Sequence, residues 1–211
     1  MNNPMRIVKL EAVPISFPVP ENKSVRLGIG KCVKRDSVLV RIETEDGHIG
    51  WGEAHHGRAP GAIAKLIDTT MRELVLNQDA MDINGIWARV YKMQISSHGM
   101  GAAAVLALSG IDIALWDIFG KITGQPIGRF FGGRLREKVM PYASLLMDEP
   151  KIMNANLTEL RGQGFKAFKI GWGTFGRIDT ANDELLVKSA RQAIGDDCFL
   201  AVDAGGSDAY W

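Results

Sequence analysis

Apolar positions recur along the chain with two different periods, and the change of period organises it. Over residues 6–17 apolar and polar residues alternate loosely, which predicts a first strand. Residues 37–44 alternate cleanly, with Val38, Val40 and Ile42 on one side and Leu39 and Arg41 on the other. Glu45-Asp46-Gly47 supplies a tight turn and residues 48–53 resume the extended pattern, so a hairpin is expected. Residues 18–35, between the first two strands, carry glycine and lysine without a clear period. A stretch of that size suits a lid or binding segment.

From residue 60 the spacing becomes helical. Residues 60–76 place Ile63, Leu66, Ile67, Met71, Leu74 and Val75 on one stripe, and residues 83–93 do the same with Ile83, Ile86, Trp87 and Val90. A third helix, over residues 101–121, is apolar nearly all round and stops at Gly124 and Pro126. Strands followed by helices predict an α+β domain. Beyond Arg134 the order alternates: strand 139–146, helix 150–162, strand 165–170, helix 180–194, strand 199–204. That is β-α-β-α-β, parallel by the crossover rule. The junction near Phe131-Gly132-Gly133 divides the chain into domains 1–133 and 134–211.

Composition narrows the class. The formal net charge is +1, from 25 Lys+Arg against 24 Asp+Glu, which argues against a nucleic-acid partner. Cys32 and Cys198 fit neither a zinc spacing nor a disulfide framework, so a reducing, cytoplasmic setting is expected. Pro4, Arg6 and Lys9 interrupt the opening residues, which do not read as an export signal. Residues 101–120 are long enough for a membrane span, yet Asp112 and Asp117 lie inside them; a buried helix is the expectation and no membrane partner.

In parallel α/β architectures chemistry collects at the carboxyl ends of the strands. Here these carry Ser144, Lys169 with Gly171, and Asp203. Lys169 and Gly171 are two residues apart and share a face. A strand-end Asp with a Lys on the neighbouring strand suits a carboxylate-held metal beside a cation, although such an Asp also serves as a cap or loop hydrogen-bonder. The run from Gly171 to Gly176 spells G-x-G-x-x-G, but its helix is delayed and no acidic residue follows at the required spacing, so a dinucleotide is not expected. His55 and His56, if in a strand, point to opposite faces and cannot share an ion.

The residues then match a known family. Residues 107–121, ALSGIDIALWDIFGK, resemble the signature helix of the mandelate racemase/muconate lactonizing enzyme branch of the enolase superfamily. Residues 49–54, IGWGEA, resemble its strand before the second lid loop; residues 164–171, GFKAFKIG, its second barrel strand; Val202-Asp203-Ala204 its third. The resemblance implies an α+β capping domain followed by the first β/α units of a TIM-like (β/α) barrel. It implies Mg2+, a small carboxylate substrate, and removal of the proton alpha to that carboxylate through a stabilised enediolate. Asp203 corresponds to the first metal ligand and Lys169 to the first lysine of a Lys-x-Lys pair. At the second lysine, a base, this chain has Gly171.

That departure favours one-base chemistry: dehydration of an acid sugar, an aldonate or aldarate, with Lys169 steadying the substrate carboxylate. The histidine expected to serve as base or acid lies beyond Trp211. A racemase, epimerase or cycloisomerase of the same branch is the alternative, and a catalytically inactive fragment a third reading. In the lids, Arg26, His55 and Arg58 are the candidate substrate contacts, with Lys23, Lys31 and His56 nearby; solvated loop charge is the competing reading. Asp112 and Asp117 are assigned structural hydrogen bonds, Trp116 and Trp172 packing, with Trp172 also placed to line a pocket. The resemblance also implies a homo-oligomer. A complete barrel takes about 250 residues and eight strands, whereas residues 134–211 supply three strands and two helices. The working enzyme is therefore expected to be longer.

Overall fold

The computed structural model describes residues 5–21, 24–27, 30–205 and 209–210, and for residues 25–27 the backbone only. In chain order the strands and helices are β1 (Ile7–Pro18), β2 (Val25–Leu27), β3 (Gly30–Cys32), β4 (Lys34–Thr44), β5 (Ile49–Ala54), α1 (Pro60–Leu66), α2 (Arg72–Val75), α3 (Ile83–Val90), α4 (Ser96–His98) and α5 (Gly101–Thr123). They continue with β6 (Ala143–Leu146), α6 (Pro150–Gly162), β7 (Ala167–Gly171), α7 (Thr180–Ile194) and β8 (Phe199–Asp203). Met1–Pro18 and Lys34–Leu135 form one compact unit, Val19–Val33 and Arg136–Trp211 a second.

In the first unit β1, β4 and β5 make an antiparallel sheet in the order β1-β4-β5. Val38, Val40 and Ile42 are fully buried, as their alternation predicts. Long α5 lies on this sheet because both surfaces are small. A Cβ on Gly52 would stand 2.1 Å from the Gly110 carbonyl oxygen, and one on Gly50 2.1 Å from that of Ala114. Gly50, Gly52 and Ala54 share one face of β5, while Gly110 and Ala114 are one helical turn apart. Backbone therefore meets backbone across the layer. Ala107, Ile111, Ala114, Leu115 and Ile118 bury the same side of α5, which explains an apolar stretch long enough to span a bilayer.

Both edges of this sheet are covered the same way. On β1 the Ala12 N–H donates to Asp68 (2.9 Å) while Arg72 donates to the Leu10 carbonyl (3.0 and 3.1 Å). On β5 the Trp51 N–H donates to Asp117 (2.8 Å) while Lys121 donates to the Ile49 carbonyl (2.8 Å). In each case an acid and a cation four residues apart on a helical segment satisfy a carbonyl and the N–H two residues later. Exposed strand edges are templates for aggregation, and these two are blocked. The helices expected to run unbroken over 60–76 and 83–93 are instead interrupted by π turns at Ile67–Met71 and Tyr91–Ile95. Asp68 lies in the first of these and Arg72 directly follows it.

In the second unit the stretch read as aperiodic contains a small antiparallel hairpin, β2 with β3, in which Arg26 faces Lys31 in register. Three-residue strands are too short to produce a period. β6, β7 and β8 form a parallel sheet in that order, with Ser144 opposite Lys169 and Gly171 opposite Asp203. β6 begins at Ala143 rather than residue 139; Pro141 has no N–H to give a ladder. Phe168 and Ile170 pack with Met153, Leu157, Leu186, Ala190 and Ile194 of α6 and α7 on one face. The alternate residues, Ser144, Lys169, Gly171 and Asp203, occupy the other.

Candidate functional site

Period-two alternation on β7 and β8 places Lys169 and Asp203 on the same face, and the two side chains meet. Lys169 Nζ lies 2.8 Å from Asp203 Oδ2, with 34% and 28% of the respective side chains exposed. The Gly205 N–H donates to Asp203 Oδ1 at 3.1 Å. The Lys169 ammonium, then the Gly205 amide, hold the Asp203 carboxyl below the usual carboxylate range. Asp203 in turn raises Lys169, assisted by Tyr142, whose ring centroid is 5.7 Å from the ammonium.

Tyr142 escaped the sequence reading. The signal was there: it precedes Ser144 by two residues, and Ser144 is paired with Lys169. Gly171 sits where the chain closes on itself. A Cβ there would stand 2.5 Å from the Asp203 carbonyl oxygen and 2.7 Å from the Asp203 Cβ, so any side chain at 171 requires the end of β8 to move.

The loop after β7 takes its shape from backbone contact. A Cβ on Gly173, which has φ +59°, would be 1.7 Å from the Met147 carbonyl oxygen. Asp183, buried on α7, accepts from the Gly176 N–H through both oxygens (3.0 and 3.1 Å) and from the Tyr210 hydroxyl (3.0 Å). The Tyr210 N–H donates to the Gly176 carbonyl at 2.7 Å. Asp183 thus ties the loop after β7 to the segment after β8, a role its position inside an amphipathic helix did not announce.

The family model for the mandelate racemase / muconate lactonizing enzyme N-terminal domain matches residues 11–132 of this framework. The chain belongs to that family. Among relatives, it is 38% identical over 176 residues to a D-galactarolactone cycloisomerase of Agrobacterium fabrum, covering 81% of this chain and 44% of that protein. It is 33% identical over 178 residues to a D-galactonate dehydratase of Klebsiella pneumoniae, covering 80% and 45%. A solved enolase-superfamily member from Polaromonas sp. JS666 superposes with a TM-score of 0.85 at 39% identity, over 95% of this chain and 52% of that one. A racemase from Streptomyces coelicolor with bound magnesium superposes at 0.81 and 29% identity, over 94% and 55%. The chain spans about half the length of these relatives. The first unit is accordingly the family's α+β capping domain, and β6 to β8 are the first strands of its barrel.

In the capping domain His55 and His56 lie past the end of β5, so the strand rule for their directions does not apply. Their rings stack instead, with centroids 4.6 Å apart. Each Nδ1 accepts a backbone N–H, His55 from Gly57 (3.1 Å) and His56 from Arg58 (2.9 Å), which leaves Nε2 to carry a proton outward. Arg58 is exposed with φ +60° in the same turn. The side chain of Arg26 lies outside the described residues, as does Lys23; Lys31 pairs with Glu21 at 3.1 Å.

Asp117 has the structural bonds expected of it, and Trp116 packs against Phe119 and Phe131. Asp112 does not: among the described residues its side chain has no hydrogen-bond partner, and burial alone pushes its carboxyl up. Trp172 has a left-handed backbone, φ +59°, and its ring lies beside Gly205. Among the described residues no three acids, histidines or cysteines cluster as a metal site. Asp203 contributes a single hard oxygen donor, which suits one position around Mg2+.

Proposed function

We propose that this chain is the capping domain, residues 1–133, and the beginning of the barrel, residues 134–211, of a Mg2+-dependent acid-sugar dehydratase. The observation that carries this reading is the Lys169–Asp203 pair on adjacent parallel strands beside a glycine at the base position. Asp203 would hold the ion, together with groups outside the described residues. Bound there, Mg2+ supplies Lewis-acid stabilisation of the negative charge that develops on the substrate carboxylate.

Lys169 does the rest of the charge management on this face. Its raised pKa keeps it an ammonium throughout the neutral range, able to leave Asp203 and donate to a substrate carboxylate oxygen. Loss of the alpha proton puts two negative charges on one carboxyl group, and a fixed cation is most valuable there. The proton goes to a base outside the described residues, because Gly171 has no group to take it. The enediolate then expels the beta hydroxyl, which takes a proton from an acid outside the described residues and leaves as water, and the enol tautomerises to a 2-oxo-3-deoxy acid. Arg26, His55 and Arg58 are proposed to contact the polyhydroxylated chain.

A cycloisomerase is the second reading, favoured by the 38% identity to a D-galactarolactone cycloisomerase. Incubating the full-length protein with aldonates, aldarates and their lactones, with Mg2+ present, separates the two. A 2-oxo-3-deoxy product supports dehydration. An isomeric acid of unchanged composition supports cycloisomerisation, and no turnover of any member contradicts both.

A further inference from the structure

β7 and β8 end side by side, with Gly171 paired to Asp203. Neighbouring strands ordinarily stand about 4.8 Å apart, which leaves room for a side chain on each. Here there is none. A Cβ on the buried Gly171 would stand 2.5 Å from the Asp203 carbonyl oxygen and 2.7 Å from the Asp203 Cβ. Neither atom can swing aside as the tip of a long side chain can. Gly162 of α6, in the same unit, gives the contrast: a Cβ there would meet nothing within 4 Å.

The neighbours decide which strand would give way to a side chain at 171. On its other side Gly171 is held by the end of β6. The Met147 N–H donates to the Gly171 carbonyl at 2.8 Å, and Gly173 passes so near the Met147 carbonyl oxygen that a Cβ there would overlap it. Phe168 and Ile170 of β7 are fully buried. Asp203, by contrast, is the last residue of β8 and is followed by exposed Ala204 and Gly205. A side chain at 171 therefore moves Asp203, by about 1 Å if its Cβ is to reach the ordinary carbon contact of about 3.5–4.0 Å. A shift of that size breaks the 2.8 Å contact between Lys169 and the carboxylate. We propose that Gly171 is a positioning residue: having no side chain, it lets β8 bring the Asp203 carboxylate to the place it shares with Lys169, and so sets the affinity of this face for a divalent cation. The face is thereby committed to cation binding, since a proton-transferring side chain at 171 would displace the acid. This rests on the reading of Asp203 as a cation ligand.

Two measurements on the full-length protein test it. The first is binding of Mn2+, read from the loss of the free-ion EPR signal. Gly171→Ala adds one methyl and no acid or base, and its Mn2+ affinity is expected to fall at least about ten-fold, whereas Gly162→Ala is expected to bind as wild type does. Wild-type affinity in Gly171→Ala, even at a lower unfolding temperature, with weaker binding in Asp203→Ala, overturns the positioning role and leaves Asp203 a ligand. Equal affinity in wild type, Gly171→Ala and Asp203→Ala overturns the ligand reading and the proposal with it. An equal loss in Gly162→Ala also overturns the proposal, because the effect would then not come from the contact with Asp203. The second measurement needs no variant and decides the case where Gly171→Ala does not fold. A crystal structure of the metal-free wild type is expected to keep a Cβ built on Gly171 within 3.4 Å of Asp203, and a clearance above 3.4 Å overturns the proposal.

Discussion

At the scale of single residues, the electrostatics of the Lys169–Asp203 pair have a defined sign. The acid is held below the ordinary carboxylate range, so its stabilising contribution is complete at neutral pH and is lost as pH falls through the lowered value. The lysine is raised, so its contribution is complete at neutral pH and is lost as pH rises through the raised value. The pair therefore stays charged throughout the neutral range. In Lys169→Met, carbon-detected NMR titration is expected to show the Asp203 pKa moving up toward the ordinary value of about 3.9. A pKa unchanged by the substitution would mean that the Gly205 amide sets it without the lysine. The lysine and aspartate were legible in the sequence because strand alternation determines which residues share a face. The left-handed backbone of Trp172 was not, because no alternation rule announces it. The stacking of His55 on His56 was not legible for a related reason: β5 stops at Ala54, and the period stops with it.

At the scale of elements, the contact between α5 and β5 depends on the absence of side chains. Gly52→Ala places a methyl against the Gly110 carbonyl, and backbone cannot swing aside as a flexible side chain can. The first unit is expected to lose about 3 kcal/mol on this substitution. A methyl on Gly61, in α1, would meet nothing within 4 Å, and Gly61→Ala is expected to gain about 0.5–1 kcal/mol from helix propensity. Denaturant unfolding of the two variants checks this contrast; similar effects of the two would contradict the close backbone approach. The helices α6 and α7 were legible to the residue, since each is amphipathic and α6 opens on a proline at its first position. The β2–β3 hairpin was not, and neither were the paired acids and cations that cover the sheet edges. Their meaning depends on which strands lie outermost, and that is a property of the tertiary arrangement.

At the scale of the molecule, two architectures follow one another along the chain, and the change of period marked the transition. The α+β part matches the family's capping domain over residues 11–132, and the parallel part has the strand order of a barrel's first three units. The proposed lysine and aspartate lie on the parallel strands. Those two residues carry the proposed chemistry, and Asp203 carries most of it, because its carboxylate is the proposed cation ligand among the described residues. The direct test is the rate of 2-oxo-3-deoxy acid formation by the full-length protein with Mg2+, compared with Asp203→Asn. The account predicts that kcat falls by about a thousand-fold or more while the fold is retained. Turnover by Asp203→Asn at the wild-type rate would contradict it.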